Sequence, residues 1–211
     1  MPPDPRLADT VVEHVEVGGR RLAIERPRDA EALLDEEAFE REEFLPYWAE
    51  LWPSGVALAR HVATLSLAGR RVLELGCGLG LPSIAAALSG ADVLATDWSA
   101  DGLAFARRNA ERNGARIETL LARWDDSAPL VGRGPFDLVL AADVLYERRN
   151  GDQLLALLAD LVPSDGSALL ADPGRVHAGR FLAAARDRWS VAEVGGQTLE
   201  RGGIYLLTPL G

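Results

Sequence analysis

The 211-residue chain contains no lysine, so all 22 of its strongly basic side chains are arginine. Chemistry that needs a lysine of its own, such as a Schiff base or the phosphate contact of a P-loop, is therefore excluded. The single cysteine, Cys77, leaves no partner for a disulfide, and the three histidines do not complete the spacing of a zinc site. These absences predict a cytoplasmic protein without a structural metal.

Long apolar runs are also missing, since none approaches the roughly 18 residues of a membrane-spanning helix. The first ten residues, MPPDPRLADT, lack the charged and apolar regions of a signal peptide. With 32 acidic against 22 basic residues, the net charge is −10, which repels the phosphates of a nucleic acid. We therefore expect no membrane partner and no nucleic-acid partner, and we expect a monomer.

Strand and helix patterns alternate from Arg71 onward. Strand patterns such as RVLEL, ADVLATD and FDLVLAAD are separated by helix patterns such as SADGLAFARRNAERNG. This alternation predicts right-handed βαβ units and an α/β fold, a Rossmann-like, doubly wound and mostly parallel seven-stranded sheet. The segments SVAEVGG and GGIYLLTPL have no helix-length insert between them, which predicts an antiparallel pair at the C-terminal edge.

The N-terminal part has a different pattern. Two alternating segments flank Gly18 and Gly19 in TVVEHVEVGGRRLAIERP, which predicts a β-hairpin, and DAEALLDEEAFERE predicts a short acidic helix. PSGVALARHVATLSL predicts an amphipathic helix that begins at Pro53. We therefore expect a leader, hairpin and short helix over residues 1–45, and the main domain over residues 46–211, within one compact unit.

The stretch RVLELGCGLGLPS places three glycines directly after a strand. In a doubly wound sheet the ligand lies at the carboxyl ends of the strands, so Gly76, Cys77 and Gly78 are candidates for contact through their backbone. The dinucleotide fingerprint needs a third glycine where Leu81 stands, and Glu74 would face a pyrophosphate with a carboxylate. S-adenosylmethionine (SAM), which carries an ammonium group and no phosphate, suits Glu74 better.

Two residues at the ends of the next strands fit a nucleoside. Asp97 ends ADVLATD, 21 residues after Gly76, where a carboxylate can accept both ribose hydroxyls of either NAD or SAM. The alternative is that Asp97 caps the following helix. Trp124, in LLARWDD, either belongs to the core or stacks on an adenine ring.

A second cluster follows the strand FDLVLAAD, which brings Asp143 to its carboxyl end with Tyr146 three residues later. A carboxylate and a phenol suit an amine, since the carboxylate orients it and the ring packs on its cationic form, provided that Ala142 leaves room. The alternative is that Asp143 caps the helix near Gly151 or pairs with an arginine. Methyl transfer needs the neutral amine, and a carboxylate opposes deprotonation, so we expect Asp143 to act by alignment.

Five segments together resemble the seven-strand class I SAM-dependent lysine methyltransferases with an Asp-x-x-Tyr signature: PYWAELWPSGVALARHV, VLELGCGLGLPSIAAALSGADVLATD, RWDD, FDLVLAADVLYE and ADPGR. The resemblance is strongest to the electron-transfer-flavoprotein β-subunit lysine methyltransferases and their bacterial relatives. It implies substrate handling by Asp143 and Tyr146, whereas Asp172 and Arg175 match a branch motif without a derived role. It implies SAM contacts at Trp52, Gly76, Cys77, Gly78, Asp97, Trp124 and Ala142.

These patterns predict a SAM-dependent N-methyltransferase that acts on lysine side chains of a protein and releases S-adenosyl-L-homocysteine. The flavoprotein β subunit is the acceptor that the resemblance implies, although the N-terminal hairpin departs from that group. One alternative is an N-methyltransferase for a small amine or a nicotinamide-type compound, for which EEFLPYW is the only candidate lid. The other alternative is a non-catalytic SAM-binding module.

Overall fold

The computed structural model describes residues 7–33, 46–196 and 199–211. Its strands are β1 (Thr10–Val17), β2 (Arg20–Pro27), β3 (Arg71–Leu75), β4 (Asp92–Asp97), β5 (Glu118–Leu121), β6 (Leu138–Ala142), β7 (Ser167–Asp172), β8 (Trp189–Val194) and β9 (Gly203–Pro209). Its α-helices are α1 (Pro53–Val62), α2 (Leu81–Leu88), α3 (Ala100–Arg112), α4 (Ala128–Val131), α5 (Arg148–Leu161) and α6 (Val176–Ala185). Short 3-10 turns lie at Glu31–Leu33 and Tyr47–Ala49.

Seven of the strands form one sheet in the order β5-β4-β3-β6-β7-β9-β8. The first five strands in this order are parallel, whereas β9 runs antiparallel to both β7 and β8. The doubly wound sheet and the antiparallel C-terminal pair are therefore confirmed. The sequence pattern did not predict that β9 lies between β7 and β8.

Helices cover both faces of the sheet, which explains why the central strands read as nearly continuous apolar runs. On one face, the hairpin and helices α1, α2 and α3 pack on side chains such as Val72 and Leu140. On the other face, α4, α5 and α6 pack on side chains such as Leu73 and Val139. No helix in the described ranges is long and apolar enough to cross a membrane.

The helix starts follow local sequence signals. Helix α1 begins at Pro53, as predicted, because a proline needs no hydrogen-bond partner in the first turn. Helix α3 is capped by Ser99, whose hydroxyl accepts the N–H of Gly102 at 3.1 Å. Ser99, rather than Asp97, is therefore the capping side chain of α3.

Strands β1 and β2 form the predicted hairpin, with Thr10 opposite Pro27. Gly18 and Gly19 make its turn with φ of +56° and +75°, values that side chains other than glycine rarely adopt. Of the predicted acidic helix in DAEALLDEEAFERE, the structure shows the 3-10 turn at Glu31–Leu33. The rest of that segment, from residue 34, lies outside the described residues.

Candidate active site

A pocket of about 220 Å³ opens at the carboxyl ends of β3, β4, β5 and β6. In chain order, β4 and β5 follow β3 on one side of it in the sheet, and β6 then lies on the other side of β3. The pocket therefore lies at the switch point where ligands bind in open α/β sheets. All ten candidate residues line it: Trp52, Glu74, Gly76, Cys77, Gly78, Asp97, Trp124, Ala142, Asp143 and Tyr146.

The glycine turn after β3 uses its own N–H groups internally. The N–H of Cys77 bonds to the Thr96 carbonyl at 2.9 Å, and that of Gly80 bonds to the Cys77 carbonyl at 2.8 Å. The N–H of Gly78 donates to Asp97 Oδ2 at 2.9 Å. A loop that cradles a pyrophosphate offers such N–H groups to the ligand, so this turn does not provide that cradle.

Glu74 occupies the position at the start of α2 where a phosphate would otherwise bind. Its carboxylate accepts the Ser83 N–H at 2.9 Å and also the Ser83 hydroxyl. Burial raises the pKa of Glu74 to about 8, with a smaller upward contribution from the nearby Asp97, while the Ser83 hydrogen bonds oppose the shift. The helix N-terminus is thus satisfied by the chain's own acid, which fits a nucleoside ligand without phosphate.

Asp97 is a buried carboxylate with fixed orientation. Its Oδ2 binds the Gly78 N–H, and its Oδ1 accepts the Ser99 N–H at 2.9 Å. Burial raises the pKa of Asp97, and the backbone hydrogen bonds, including those from Ser99 and Gly78, oppose this. Each carboxylate oxygen can accept more than one hydrogen bond, so Asp97 retains capacity for ribose hydroxyls.

Aromatic side chains form much of the pocket wall. Trp124 is half-buried, packs against the apolar cluster under α5 and also lines the pocket. Stacking on an adenine ring stays a prediction for this residue. Trp52 donates its Nε1–H to the Tyr47 carbonyl at 2.7 Å, and the two rings meet edge to face. Trp98 and Tyr47 line the pocket too. Sequence reasoning did not name Trp98, and it named Tyr47 only as part of the candidate lid EEFLPYW. The position of Trp98, directly after Asp97 at a strand end, was the available signal.

Asp143 has unusual backbone geometry and a close cationic partner. Its φ of +59° makes it the one non-glycine residue with positive φ in the described part of the chain. Arg175 Nη1 lies 2.7 Å from Asp143 Oδ1. Pairing with an arginine was one of the alternatives that the sequence left open for this residue. Asp143 does not cap α5, which begins at Arg148.

The Asp-Pro-Gly-Arg motif gains a structural role from this pair. Asp172 is fully buried, and its Oδ1 accepts the N–H groups of Gly174 and Arg175, both at 2.8 Å. Its Oδ2 lies 3.2 Å from Arg175 Nη1. Asp172 therefore shapes the turn after β7 and directs the Arg175 guanidinium toward Asp143.

The environment of the Asp143 carboxyl balances opposite effects. Burial raises its pKa and the Asp172 charge adds to this, whereas Arg175 and the Ser54 side chain lower it. Ser54 Oγ and Asp143 Oδ2 are both buried, and neither makes a well-formed hydrogen bond within the described residues. Ser54 thus lies beside Asp143 without a fixed bond to it.

Tyr146 and Tyr47 stand at the pocket opening. Their ring centroids are 5.0 Å apart, and the two residues are 37% and 40% exposed. Burial of the Tyr146 phenol raises its pKa. A flexible chain that ends in an amine can reach past such rings toward Asp143. No group of three His, Cys, Asp or Glu side chains in residues 7–33, 46–196 and 199–211 is placed to hold a metal ion.

Comparisons with known proteins show the family to which the chain is similar. A lysine methyltransferase family model matches residues 43–185. Protein N-lysine methyltransferase METTL21A of Danio rerio is 34% identical over 154 residues, which cover 69% of this chain and 70% of the relative. Electron transfer flavoprotein beta subunit lysine methyltransferase of Danio rerio is 38% identical over 136 residues, which cover 63% of this chain and 52% of the relative. The chain therefore spans about half the length of this second relative.

One solved structure shows the same fold over nearly the whole chain. It is the T. thermophilus 16S rRNA N2 G1207 methyltransferase RsmC in complex with AdoMet and guanosine, with a TM-score of 0.68 and 16% sequence identity. The match covers 99% of this chain and 52% of that one. At this level of identity the similarity concerns the fold alone.

Proposed function

Because the chain belongs to the lysine methyltransferase family, we propose that it transfers a methyl group from SAM to the ε-amine of a lysine in a protein. One observation carries this proposal. A single pocket holds the glycine turn after β3, with Asp97 from the end of β4 on one side of it and Asp143 with Tyr146 after β6 on the other. A nucleoside-binding group and an amine-handling group thus face a shared space.

The residues on the β4 side of the pocket suit the cofactor of this family. Bound SAM supplies an electrophilic methyl group on a positively charged sulfur. Asp97 would accept the ribose hydroxyls, and the aromatic walls of Trp52 and Trp124 would contact the apolar surface of the cofactor. An ammonium group beside Glu74 would bring the pKa of Glu74 down and favour its ionised form. Gly76, Cys77, Gly78 and Ala142 would contribute close backbone contacts.

Asp143 and Tyr146 would handle the acceptor amine. The carboxylate accepts a hydrogen bond from the amine and so fixes the direction of its lone pair, while the Tyr146 ring packs on the carbon chain. The proton of the incoming ammonium passes to water before or during entry. The net charge of −10 favours encounter with a basic surface around the target lysine.

The two relatives name their acceptors as protein lysines, and in one of them as the electron transfer flavoprotein beta subunit. We propose the same acceptor class for this chain, with that subunit as the first individual candidate. Action as a monomer in the cytoplasm stays a prediction. For the small-molecule alternative, the candidate lid EEFLPYW lies largely outside the described residues, and its Tyr47 is 40% exposed.

The test is to incubate the protein with methyl-labelled SAM and a size-fractionated bacterial extract. We expect label in one protein band, recovered as methyl-lysine after hydrolysis and lost with Asp143→Asn. Asp160→Asn, an exposed position on α5 away from the pocket, is the matched control and should label normally.

Three results would contradict the proposal. Label only in the small-molecule fraction would establish the small-amine enzyme instead. Recovery of methyl-arginine would show a different acceptor side chain. The third result is SAM binding without any labelled product, in an extract that a known enzyme can methylate on lysine. This result would favour the non-catalytic SAM-binding module.

A further inference from the structure

The acceptor side of the pocket presents a chemical conflict. A lysine amine has a pKa of about 10.4 and must lose its proton before it can accept a methyl group. A bare carboxylate next to the amine stabilises the ammonium form and so opposes that loss. The proposed function, on which this inference rests, needs Asp143 to hold the amine without keeping it charged.

The structure gives Asp143 a counter-charge at close range. Arg175 Nη1 lies 2.7 Å from Asp143 Oδ1, and the two side chains are 27% and 7% exposed. Water screens a pair this buried much less than it screens a surface ion pair. The pair therefore presents far less net negative charge to the pocket than the carboxylate alone.

Arg175 is held in this position from its other side. Asp172 accepts the Arg175 N–H at 2.8 Å and lies 3.2 Å from its Nη1. Because Asp172 is fully buried and also binds the Gly174 N–H, it fixes the turn that carries Arg175. The guanidinium is thus fixed before an acceptor arrives.

Other titratable side chains line the pocket around Asp143, and their charges act on the acceptor amine as well. Apart from Asp143, the titratable side chains that line the pocket are Tyr47, Glu50, Glu74, Cys77, Asp97, Arg123, Asp125, Tyr146, Glu147 and Arg149. Of these, Glu147 is paired with Arg149 at 2.6 Å. Asp125 is paired with Arg123 at 2.9 Å, and Glu50 lies 4.0 Å from Arg26. Within the described residues, the wall carboxyl groups of Glu74 and Asp97 have no such ion pair, and their negative charge would favour a charged amine.

We propose that Arg175 is a positioning residue that offsets the charge of Asp143, so that the acceptor amine meets a hydrogen-bond acceptor and loses its proton to water at near-neutral pH. Asp172 holds the Arg175 guanidinium in place. The Asp-Pro-Gly-Arg motif then tunes the pH range of methyl transfer.

The first test compares pH profiles of methyl transfer for wild type, Arg175→Gln and Arg175→Lys. The protein fraction of the extract and labelled SAM serve as substrates, between about pH 6 and pH 10. Glutamine keeps a donor for Asp143 but removes the charge. We expect the pH profile of Arg175→Gln to move by about one pH unit to the alkaline side, because the apparent pKa of the acceptor amine rises. Turnover should be about tenfold lower than that of wild type near pH 7 and close to that of wild type above the raised pKa of the amine.

Two further variants make this result specific. Arg175→Lys restores a positive charge and should return the profile toward that of wild type. Arg70→Gln removes one exposed positive charge, paired with Asp137 at 3.4 Å at the amino ends of β3 and β6, and should leave the profile unchanged. A loss that is equal at every pH for Arg175→Gln, or a profile that does not move, would overturn the proposal.

The second test does not depend on methyl transfer. The aspartate carboxyl carbons of the labelled protein are titrated by NMR, and Asp143→Asn identifies the Asp143 signal. We expect Arg175→Gln to raise the pKa of Asp143, and an unchanged titration would overturn the charge offset. A raised pKa in a protein that labels no acceptor would instead overturn the proposed function and leave the charge offset standing.

Discussion

At the residue scale, we expect Asp97 to decide cofactor affinity, because its two carboxylate oxygens organise the site and would also accept the ribose hydroxyls. Asp97→Ala removes the acceptor for ribose and releases the N–H groups of Gly78 and Ser99. Hydrogen bonds to charged groups contribute about 1.5–3 kcal/mol, so we expect SAM to bind roughly ten- to a hundredfold more weakly. Isothermal titration with SAM measures this.

Asp92→Ala is the matched control for that variant. Asp92 is exposed at the opposite end of the same strand, far from the pocket, so its loss should leave the affinity for SAM unchanged. An Asp97→Ala protein that folds and binds SAM as wild type does would remove Asp97 from the ribose site.

The candidate side chains could be selected from sequence because parallel strands deliver their last residues to one edge. Asp97 and Asp143 are both found by that rule alone. The contact between Asp143 and Arg175 could not be found in this way, because 32 residues separate them and two loop conformations decide the contact. Tyr47 was named only within the candidate lid for a similar reason, since it reaches the pocket from a segment before the first strand of the sheet.

At the element scale, Glu74 joins β3 to α2 through its hydrogen bonds to Ser83. The titration of Glu74 should therefore change the free energy of unfolding with pH. The unfolded chain releases this proton near pH 4.5, whereas the folded protein holds it up to about pH 8. The folded state therefore binds more protons in this window, so stability falls as the pH rises through it.

Glu74→Gln should remove this dependence, because glutamine keeps an acceptor oxygen for Ser83 but does not titrate. Between about pH 5 and pH 8, we expect the unfolding free energy of wild type to fall relative to the variant by up to about 1.4 kcal/mol per pH unit. Urea unfolding of both proteins at several pH values gives the difference. A difference that stays constant with pH would show that Glu74 is ionised throughout.

The contact between α2 and α3 depends on the absence of a side chain at Gly80. A Cβ there would lie 2.9 Å from the Cβ of Ala106, and the φ of +82° is unfavourable for alanine. Gly114 has a φ of +69° but open space around its missing Cβ. Both alanine variants thus carry backbone strain of about 1–2 kcal/mol, and Gly80→Ala adds overpacking of about 1–3 kcal/mol.

Urea unfolding of Gly80→Ala and Gly114→Ala separates the two effects. We expect the Gly80 variant to be less stable than the Gly114 variant by the overpacking contribution. Equal losses would mean that α2 and α3 separate at little cost and that Gly80 matters only for its backbone conformation.

Long periodic segments were predictable, and pairings set by tertiary packing were not. The strands of RVLEL and ADVLATD and the helix in SADGLAFARRNAERNG carry strong local patterns. Helix α4, Ala128–Val131, is too short to show a period. The place of β9 between β7 and β8 depends on which sheet edge is free, which no local pattern records.

At the scale of the whole molecule, the N-terminal hairpin is tied to the rest of the protein by two asparagines, Asn109 on α3 and Asn113 directly after its end. Asn109 exchanges two hydrogen bonds with the Glu25 backbone, at 2.8 and 3.0 Å. Asn113 does the same with Ala23, at 2.9 Å in both directions. The hairpin could be predicted from its own sequence, whereas its attachment depends on side chains more than 80 residues away.

Only one of the two asparagines also reaches the cofactor side. Asn109 Nδ2 donates to the carbonyl of Leu79, which lies in the glycine turn and lines the pocket, at 3.1 Å. Asn109→Ala and Asn113→Ala therefore remove the same number of hairpin bonds, and we expect both to speed amide hydrogen exchange in β2. Asn109→Ala should also weaken SAM binding, by about fivefold for one hydrogen bond of about 1 kcal/mol.

Hydrogen exchange of β2 and titration with SAM on both variants distinguish two ways of coupling. If Asn109→Ala alone weakens SAM binding, the link through Leu79 transmits the effect and the hairpin acts as a support for the glycine turn. If both variants weaken binding equally, docking of the hairpin itself stabilises the pocket. If neither does, the hairpin contributes to stability without reaching the cofactor, and the coupling through Asn109 is wrong.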